Sequence, residues 1–548
     1  MFNLRSIYFY FFAILISLIK FFKKIYFTTN LYNKSLISKT PQQFYFYPNP
    51  ILLSLITNFK NHLFKIKDFN PNIFWGKNKN IQEEKNLHSF VWLNLIDRKN
   101  DGKSIQKIIN LWILRNSNYK KNLWESSVLS KRIISWILNS EIILTNGLFE
   151  FKRGFFNSII SQTTHLKKNI KFEKDNLKKI EILTALLLSG LVFKEYDNNF
   201  KIAVKELEKL VKNFFDVEGF PLSRNPSDLV FVLKHLIICK ECIKDAQQYL
   251  PEFLEIIIKN NIKCLNNILT PNRSIPLFNG GIEENLEELT KFEKKLDYKN
   301  KSDKNLSGGI QILKQKNNLV FFDVGQPPSK QFSSKYQSGP LSFEYYLEGK
   351  KIITNCGFGS NISSKAELLS RLTSAQSTIT LDDISVTKFE KNKMINKIFG
   401  NSIKDSFKIN ELKYIDEGDY LKSVASHNGY EKKLGCIHRR EISINKSSGQ
   451  LSGNDTLIKK QDGKPVNFYI RFHLSPDLTA VRTMGGNSVL FQLSKNKSLI
   501  FVTNSESIIL EKGVFFGGNK ILDNTCVTIF GNLVNKSKTI HWEIKKNI

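Results

Sequence analysis

The sequence predicts an α+β multidomain protein in which a helical domain is followed by a large antiparallel β-sandwich. Three observations carry that expectation. From about residue 50 to 290, apolar residues recur at three- and four-residue steps. Beyond Gly308-Gly309 the apolar period falls to two. Between these regimes, residues 284–306 are rich in Glu, Lys, Asp and Asn, with little to bury after Phe292, and read as a linker or an exposed final helix. The expected divisions are a hydrophobic N-terminal segment at 1–30, a helical domain at 31–300 and a β domain at 301–548.

The first segment holds a continuous apolar run, Ile7–Ile19, preceded by Arg5 and followed by Lys20, Lys23 and Lys24. The run is shorter than the roughly 20 residues of a membrane span, although Phe21 and Phe22 extend it past one Lys. It has the core of a signal peptide without a small-x-small cleavage site. The heavier positive flank lies on its C-terminal side, an arrangement that would keep the body cytoplasmic if the segment spanned. These signals conflict, and membrane association through this segment stays open.

The helical stripes are explicit in Lys201–Phe215, where Ile202, Leu207, Leu210, Val211 and Phe214 alternate with Lys and Glu. Similar stripes run through Ile105–Arg115, Leu129–Leu144, Leu183–Phe193 and Asp228–Cys242, punctuated by Gly190, Gly219, Pro221 and Pro271. Periodicity alone fits either a helical toroid or a helical array. In the second half, Leu319–Val324, Ser377–Leu381, Cys436–Ile444, Asn467–Leu474, Ser488–Leu493, Ser498–Val502, Cys526–Phe530 and Thr539–Ile544 read as strands, with a hairpin turn around Lys495-Asn496-Lys497.

With 548 residues, 41% of them hydrophobic, the chain is long enough for two or three folded domains. Its formal charge of +31 would attract an anionic partner. The same excess of Lys accompanies abundant Asn, Ile and Phe, as compositional bias alone would produce. No nucleic-acid-binding motif accompanies the charge, and no nucleic-acid partner is expected. Six cysteines are too few for a disulfide scaffold. Cys239 and Cys242 have metal-type spacing but sit in an apolar helical stripe without a second pair, which points to packing. No metal or other cofactor is expected.

The most informative stretch is Tyr336–Gly357. Leu341, Phe343 and Tyr345 alternate with Ser342, Glu344 and Tyr346, and Glu348-Gly349 turns the chain into Lys351–Asn355. It resembles the signature hairpin of the heparinase II/III-like polysaccharide lyases. Leu87–Leu93, Trp124-Glu125, Ser130–Ile137, Glu218-Gly219, Arg224-Asn225-Pro226, Arg371–Thr378, His427–Tyr430 and His438–Arg440 are similar to further motifs of that family, in order, over about residues 85 to 475. The resemblance implies an incomplete α/α toroid joined to an antiparallel β-sandwich. It also implies an acidic polysaccharide as partner, β-elimination as chemistry, and a cell-envelope location, periplasmic or membrane-associated.

Such β-elimination needs a group that neutralises the substrate carboxylate and a Tyr or His that moves the proton. By resemblance, Lys178 stands at the toroid position of the neutraliser. Gln337, Gly339, Asn355 and Gln376 stand where the family has His, Asp, Asp and His. Gln does not titrate near neutral pH and Gly supplies no ligand, so a zinc site at this hairpin is not expected. His427 and Tyr430 are the surviving acid/base candidates; alternatively they support a turn at Asn428-Gly429. His438 and His473 alternate with apolar strand residues and read as core or interface groups. Arg224 with Asn225 is the first choice for catalytic contact with the substrate carboxylate, and Arg132, Lys178, Gln337, Arg371, Gln376 and Arg439 are the further substrate-binding candidates. Arg439 and Arg440 are adjacent on a strand and must face opposite sides. Trp92, Trp124 and Trp136 form either a sugar-stacking wall or helix core. The function classes are a lyase, a family member that keeps the scaffold for glycan binding or envelope assembly, and a basic protein that binds anionic lipid or nucleic acid through charge alone.

Overall fold

In a computed structural model the protein is described over residues 4–57, 81–295, 304–392, 394–396, 400–460, 464–503, 507–518 and 520–546. Residues 58–80 of the expected helical region lie outside the described residues, as do residues 296–303 of the segment expected as a linker or final helix. Contacts divide the chain into two compact units: Met1–Phe214 with Val230–Lys259, and Phe215–Leu229 with Asn260–Ile548.

The first unit is helical. Its principal helices include Leu4–Phe27, Ile81–His88, Gly102–Asn116, Ser126–Leu138, Phe149–Asn169, Asn176–Val192 and Asp197–Phe214. The expected stripe at Leu129–Leu144 is broken at Asn139, whose amide donates back to the Ser135 carbonyl and which joins two helices, Ser126–Leu138 and Ser140–Leu144. The helix Asn176–Val192 is central, packing on Ser126–Leu138, Phe149–Asn169 and Asp197–Phe214. Its thirteen residues from Ile180 to Val192 are all buried, and Asp175 caps its start by accepting from the Leu177 N–H at 2.9 Å. The segment expected as a linker or an exposed final helix contains the helix Glu287–Lys295 of the second unit, with Leu289 and Phe292 buried.

The second unit carries seventeen strands among the described residues. In chain order they are β1 Leu306–Ser307, β2 Ile310–Gln315, β3 Asn318–Asp323, β4 Phe343–Leu347, β5 Lys350–Thr354, β6 Ile379–Leu381, β7 Ile409–Glu417, β8 Tyr420–His427 and β9 Cys436–Asn445. They continue with β10 Leu451–Lys459, β11 Val466–Leu474, β12 Thr479–Arg482, β13 Ser488–Ser494, β14 Lys497–Thr503, β15 Ser507–Phe515, β16 Leu522–Leu533 and β17 Ser537–Lys546. One sheet runs β1-β2-β3-β4-β5-β11-β16-β15, with β6 beside β11; the other runs β12-β13-β14-β17-β10-β9-β8-β7. All these pairings are antiparallel.

The expected hairpin is β4–β5. Glu348 and Gly349 both take positive φ, 50° and 82°, the backbone of a two-residue primed turn that matches strand twist. Apolar residues from both sheets merge into one core, in which Phe343 of β4 stacks on Trp542 of β17 with ring centroids 5.5 Å apart.

That core encloses a carboxylate. Asp455 of β10 is fully buried and accepts from Arg440 Nε at 2.7 Å, Arg440 Nη2 at 3.0 Å, His438 Nε2 at 2.7 Å and Trp542 Nε1 at 2.9 Å. The remaining Arg440 nitrogen, Nη1, donates to the Leu341 and Ser377 carbonyls, just ahead of β4 and β6 in the opposite sheet. Arg440 therefore ties the two sheets together, and Asp455 supplies its counter-charge. Replacing one partner would strand the other in the core. Asp455→Asn is expected to lower unfolding stability by about 3–5 kcal/mol in chemical denaturation, and Arg440→Met with Asp455→Leu is expected to recover much of that loss.

Candidate functional site

The altered hairpin positions sit together. Gln337 Nε2 donates to the Ser370 carbonyl at 2.7 Å, and Gln376 Nε2 donates to the same oxygen at 2.8 Å. Gln337 also donates to the Gly357 carbonyl and accepts from the Gly280 N–H, both at 2.9 Å. Both side chains are buried, so these amides tie loops together within the unit. Gly339 has no room for a side chain: a Cβ there would stand 2.8 Å from Gln376 Cγ and 3.1 Å from Ser342 Oγ. Asn355 Oδ1 accepts from the Ser377 N–H at 2.9 Å. Glu344 accepts from Tyr346 Oη, Thr354 Oγ1 and the Leu277 N–H.

The acid/base candidates belong to a closed chain of hydrogen bonds. The Gly429 N–H donates to His427 Nδ1 at 3.1 Å, His427 Nε2 meets His438 Nδ1 at 3.2 Å, and His438 Nε2 meets Asp455 at 2.7 Å. A backbone N–H can only donate, so His427 carries its proton on Nε2 and His438 on its own Nε2, with both rings neutral. Burial lowers both imidazole pKa values, with His438 and Arg440 adding to the effect on His427. Burial alone would raise the Asp455 carboxyl, but Arg440 and His438 outweigh it and hold it well below the usual range. Tyr430 is fully buried, its hydroxyl bonded to the Ile379 and Ile384 carbonyls and its pKa pushed up by burial. In this structure His427 and Tyr430 hold the core together, which corrects the expectation of an accessible acid/base pair.

Arg224 is corrected for a similar reason. Its five donors are all engaged: Nε with Gly308, Nη1 with the Gly325 and Gln326 carbonyls, and Nη2 with the Gly309 carbonyl and the Asp323 carboxylate. A guanidinium has no sixth N–H to offer a substrate carboxylate. Asn225 is equally committed, accepting from the Ser227 N–H and donating to Asp228 at 3.2 Å. Arg371 is buried against Phe389 and donates to the Tyr336 and Ser333 carbonyls; burial lowers its pKa to about 10. Arg439 and Arg440 do face opposite sides: Arg440 is buried, whereas Arg439 is partly exposed beside Glu411 and Glu441. His473 is buried with Nε2 on the Ser374 carbonyl.

In the helical unit the side chains leave open space. A cavity of about 610 Å³ is lined by Glu84, His88, Arg115, Asn116, Lys120 and Lys121, with Asn122 and Leu123. Three cations face one carboxylate there, which favours an anionic ligand. Arg132 is the strut beneath it. Fully buried, it donates through Nη1 to the His88 carbonyl at 2.8 Å and through Nη2 to the Leu123 carbonyl at 3.0 Å, joining both margins of the cavity. Its Nε donates to Gln162 at 2.7 Å, its plane lies 4.2 Å from the Trp112 ring, and burial lowers its pKa to about 9. The Trp112 indole N–H donates to His88 Nδ1 at 2.9 Å, which places the proton of the neutral ring on Nε2.

Glu125 follows the loop that lines the cavity, bonded to Lys85 at 2.6 Å and lying 3.6 Å from Lys178. Burial alone would raise the Glu125 carboxyl; Lys85 and then Lys178 lower it. Lys178 is more than a third exposed. Of the two candidates in this unit, Arg132 thus shapes the cavity from below, and Lys178 keeps an ammonium at the surface. Trp92, Trp124 and Trp136 are core residues, each at most 3% exposed, so they form no sugar-stacking wall. Arg115, Lys120 and Lys121 were not singled out in the sequence; the available signal was a basic loop immediately before Trp124-Glu125. Among the described residues, no group of three or more His, Cys, Asp or Glu side chains is placed to hold a metal ion.

Solved structures share this fold of a helical unit and a two-sheet antiparallel sandwich. Heparinase III superposes with a TM-score of 0.66 at 14% identity, over 91% of this chain and 85% of that one. Heparan sulfate lyase HepC from Pedobacter heparinus does so with 0.63 at 14% identity, over 94% and 87%. Residues 299–543 match the model of the heparinase II/III-like C-terminal domain, so this part of the chain is similar to that family. FtsZ-localized protein C of Caulobacter vibrioides is 26% identical over 185 residues, which are 32% of this chain and 31% of that protein. The match thus spans about a third of that curated relative.

Two predictions follow from these geometries. Gly339→Ala is expected to destabilise the protein by about 1–3 kcal/mol in urea unfolding. Adding Gln376→Ala, which removes the obstructing Cγ, should cost less than the sum of the single changes by at least about 0.5 kcal/mol. The second concerns acid. His165, His235 and His473 have pKa values lowered to about 4, chiefly by burial, and His427 and His438 shift the same way. Unfolded histidines bind protons near pH 6.5 while these buried ones do not, so stability falls as pH drops below that value. Each of His165, His235 and His473 contributes about 1.4 kcal/mol per pH unit through this window, and His427 and His438 act in the same direction. Urea midpoints measured from pH 7 to pH 5 should decline steeply; a flat profile would contradict the burial of these rings.

Proposed function

We propose that the protein recognises an acidic, uronate-containing polysaccharide of the cell envelope and uses the lyase scaffold for binding. The observation that carries this reading is the contrast between the two units. Gln337, Gln376, His427, Tyr430 and Arg224 have their polar atoms engaged inside the β unit. The helical unit keeps a cation-lined cavity. Carboxylates on a glycan would meet Arg115, Lys120 and Lys121, with Lys178 as a further ammonium, in contacts that salt weakens. The envelope setting draws on the resemblance to the heparinase II/III-like lyases.

The second reading is a working lyase. Lys178 favours it, since an ammonium at the neutraliser position would stabilise the enolate-like intermediate. The proton on the carbon beside the carboxylate would pass to water, and the glycosidic oxygen would depart with its bond pair and take a proton from water, giving an unsaturated uronate and a free hydroxyl. Alginate and heparan sulfate oligosaccharides test both readings. Binding by calorimetry without growth of unsaturated-uronate absorbance is the expected result. Arg115→Ala with Lys121→Ala should weaken binding by about tenfold, or ~1.4 kcal/mol. Turnover would establish the lyase reading, and a failure to bind any acidic glycan would remove both.

A further inference from the structure

We propose that the helix Leu4–Phe27 lies in the surface of an anionic lipid bilayer and holds the helical unit against it. In the described part of this helix, Phe11 and Phe22 are each 65% exposed, and Tyr10, Leu15, Leu18, Phe21, Ile25 and Tyr26 are exposed as well. At 100° per residue, these side chains sweep an arc of about 160° around the axis. A helix seated on a protein core needs a stripe of about 100°. The opposite side carries buried Ala13 and the half-buried Ile16, Ser17 and Phe27. An apolar arc this broad fits acyl chains on several sides at once. A second copy of the chain would cover only a narrow seam.

Charge selects the lipid. Lys23 and Lys24 end the helix, the sequence adds Lys20, and the chain carries a formal +31. Tyr10 sits at one edge of the exposed arc, where an amphipathic ring favours the headgroup layer. With 24 residues the helix is about 36 Å long. An exposed apolar arc opposite a side that packs on the body is the arrangement of a helix lying within the interface.

The helix is fixed to the body at its C-terminal end. Phe27 packs on Tyr32 at 4.7 Å, His165 at 5.0 Å and Tyr119 at 5.2 Å between ring centroids, and Lys23 caps the Phe172 ring. Tyr119 directly precedes Lys120 and Lys121, so the cavity loop and the root of the helix share one aromatic cluster. A bilayer that holds the helix therefore also holds the cavity close to its surface.

The test is flotation of the full-length protein with two kinds of vesicle, pure phosphatidylcholine and an equal mixture with phosphatidylglycerol. The protein should float with the mixed vesicles and far less with the neutral ones. Phe11→Asp, Leu15→Asp and Phe22→Asp together should reduce the bound fraction by at least about tenfold at an unchanged thermal midpoint, since all three side chains are exposed. Lys24→Glu should weaken binding to the mixed vesicles alone. Wild-type protein that stays unbound, or a triple variant that floats equally well, would overturn the proposal. So would a vesicle-free dimer that the triple variant dissociates, because a second copy would then be the occupant. Glycan binding by the triple variant, measured in the same preparation, separates failure here from failure of the polysaccharide reading.

Discussion

The β unit depends on one buried carboxylate. Asp455 has four donors around it, and one of its partners, Arg440, reaches across the sandwich to the backbone ahead of β4 and β6. A charge in an apolar core is tolerated only when it is paired and hydrogen-bonded, and here both conditions are met within one cluster. The arrangement also fixes conformation. Leu341, whose carbonyl Arg440 holds, has a φ of 57°, a strained value for a leucine, just two residues before β4 begins. The entry to the hairpin is thus set from the opposite sheet.

The same logic explains the hairpin's altered chemistry as a coordinated change. Gln337 and Gln376 share the Ser370 carbonyl, and Gln376 occupies the space that a side chain at 339 would need. An amide can satisfy a backbone oxygen permanently without changing charge, whereas an imidazole there would titrate. A glycine at 339 and glutamines at 337 and 376 therefore form one packed solution, and restoring a single family-type residue would break it. In the helical unit, Arg132 is also buried and serves shape, yet the shape it maintains is an open, basic cavity.

Much of the fold was legible in the sequence. Period-three-to-four stripes found the helices, and Phe343/Tyr345 alternation before Glu348-Gly349 found the hairpin. Strand β7 went unread because its apolar residues do not alternate and only Ile409 is buried, and β15 because Ile508, Ile509 and Leu510 run consecutively. The site was less legible for a different reason. Arginine and histidine at family-type positions signal that a residue matters, but a one-dimensional pattern does not distinguish a donor facing a ligand from one holding a carbonyl. Arg224, His427 and Tyr430 were chosen for their chemistry, and their burial reassigns them. Asp455 was missed because β10 was not among the strands read from the sequence, and its inward face is defined by pairing with β9 and β17.

The account rests on where a glycan is held. Amide hydrogen exchange across the whole chain, with and without saturating alginate oligosaccharide, tests this directly. The account predicts slower exchange in residues 115–123 and no change in residues 336–357 and 371–378. Protection of the hairpin, with residues 115–123 unaffected, would contradict it.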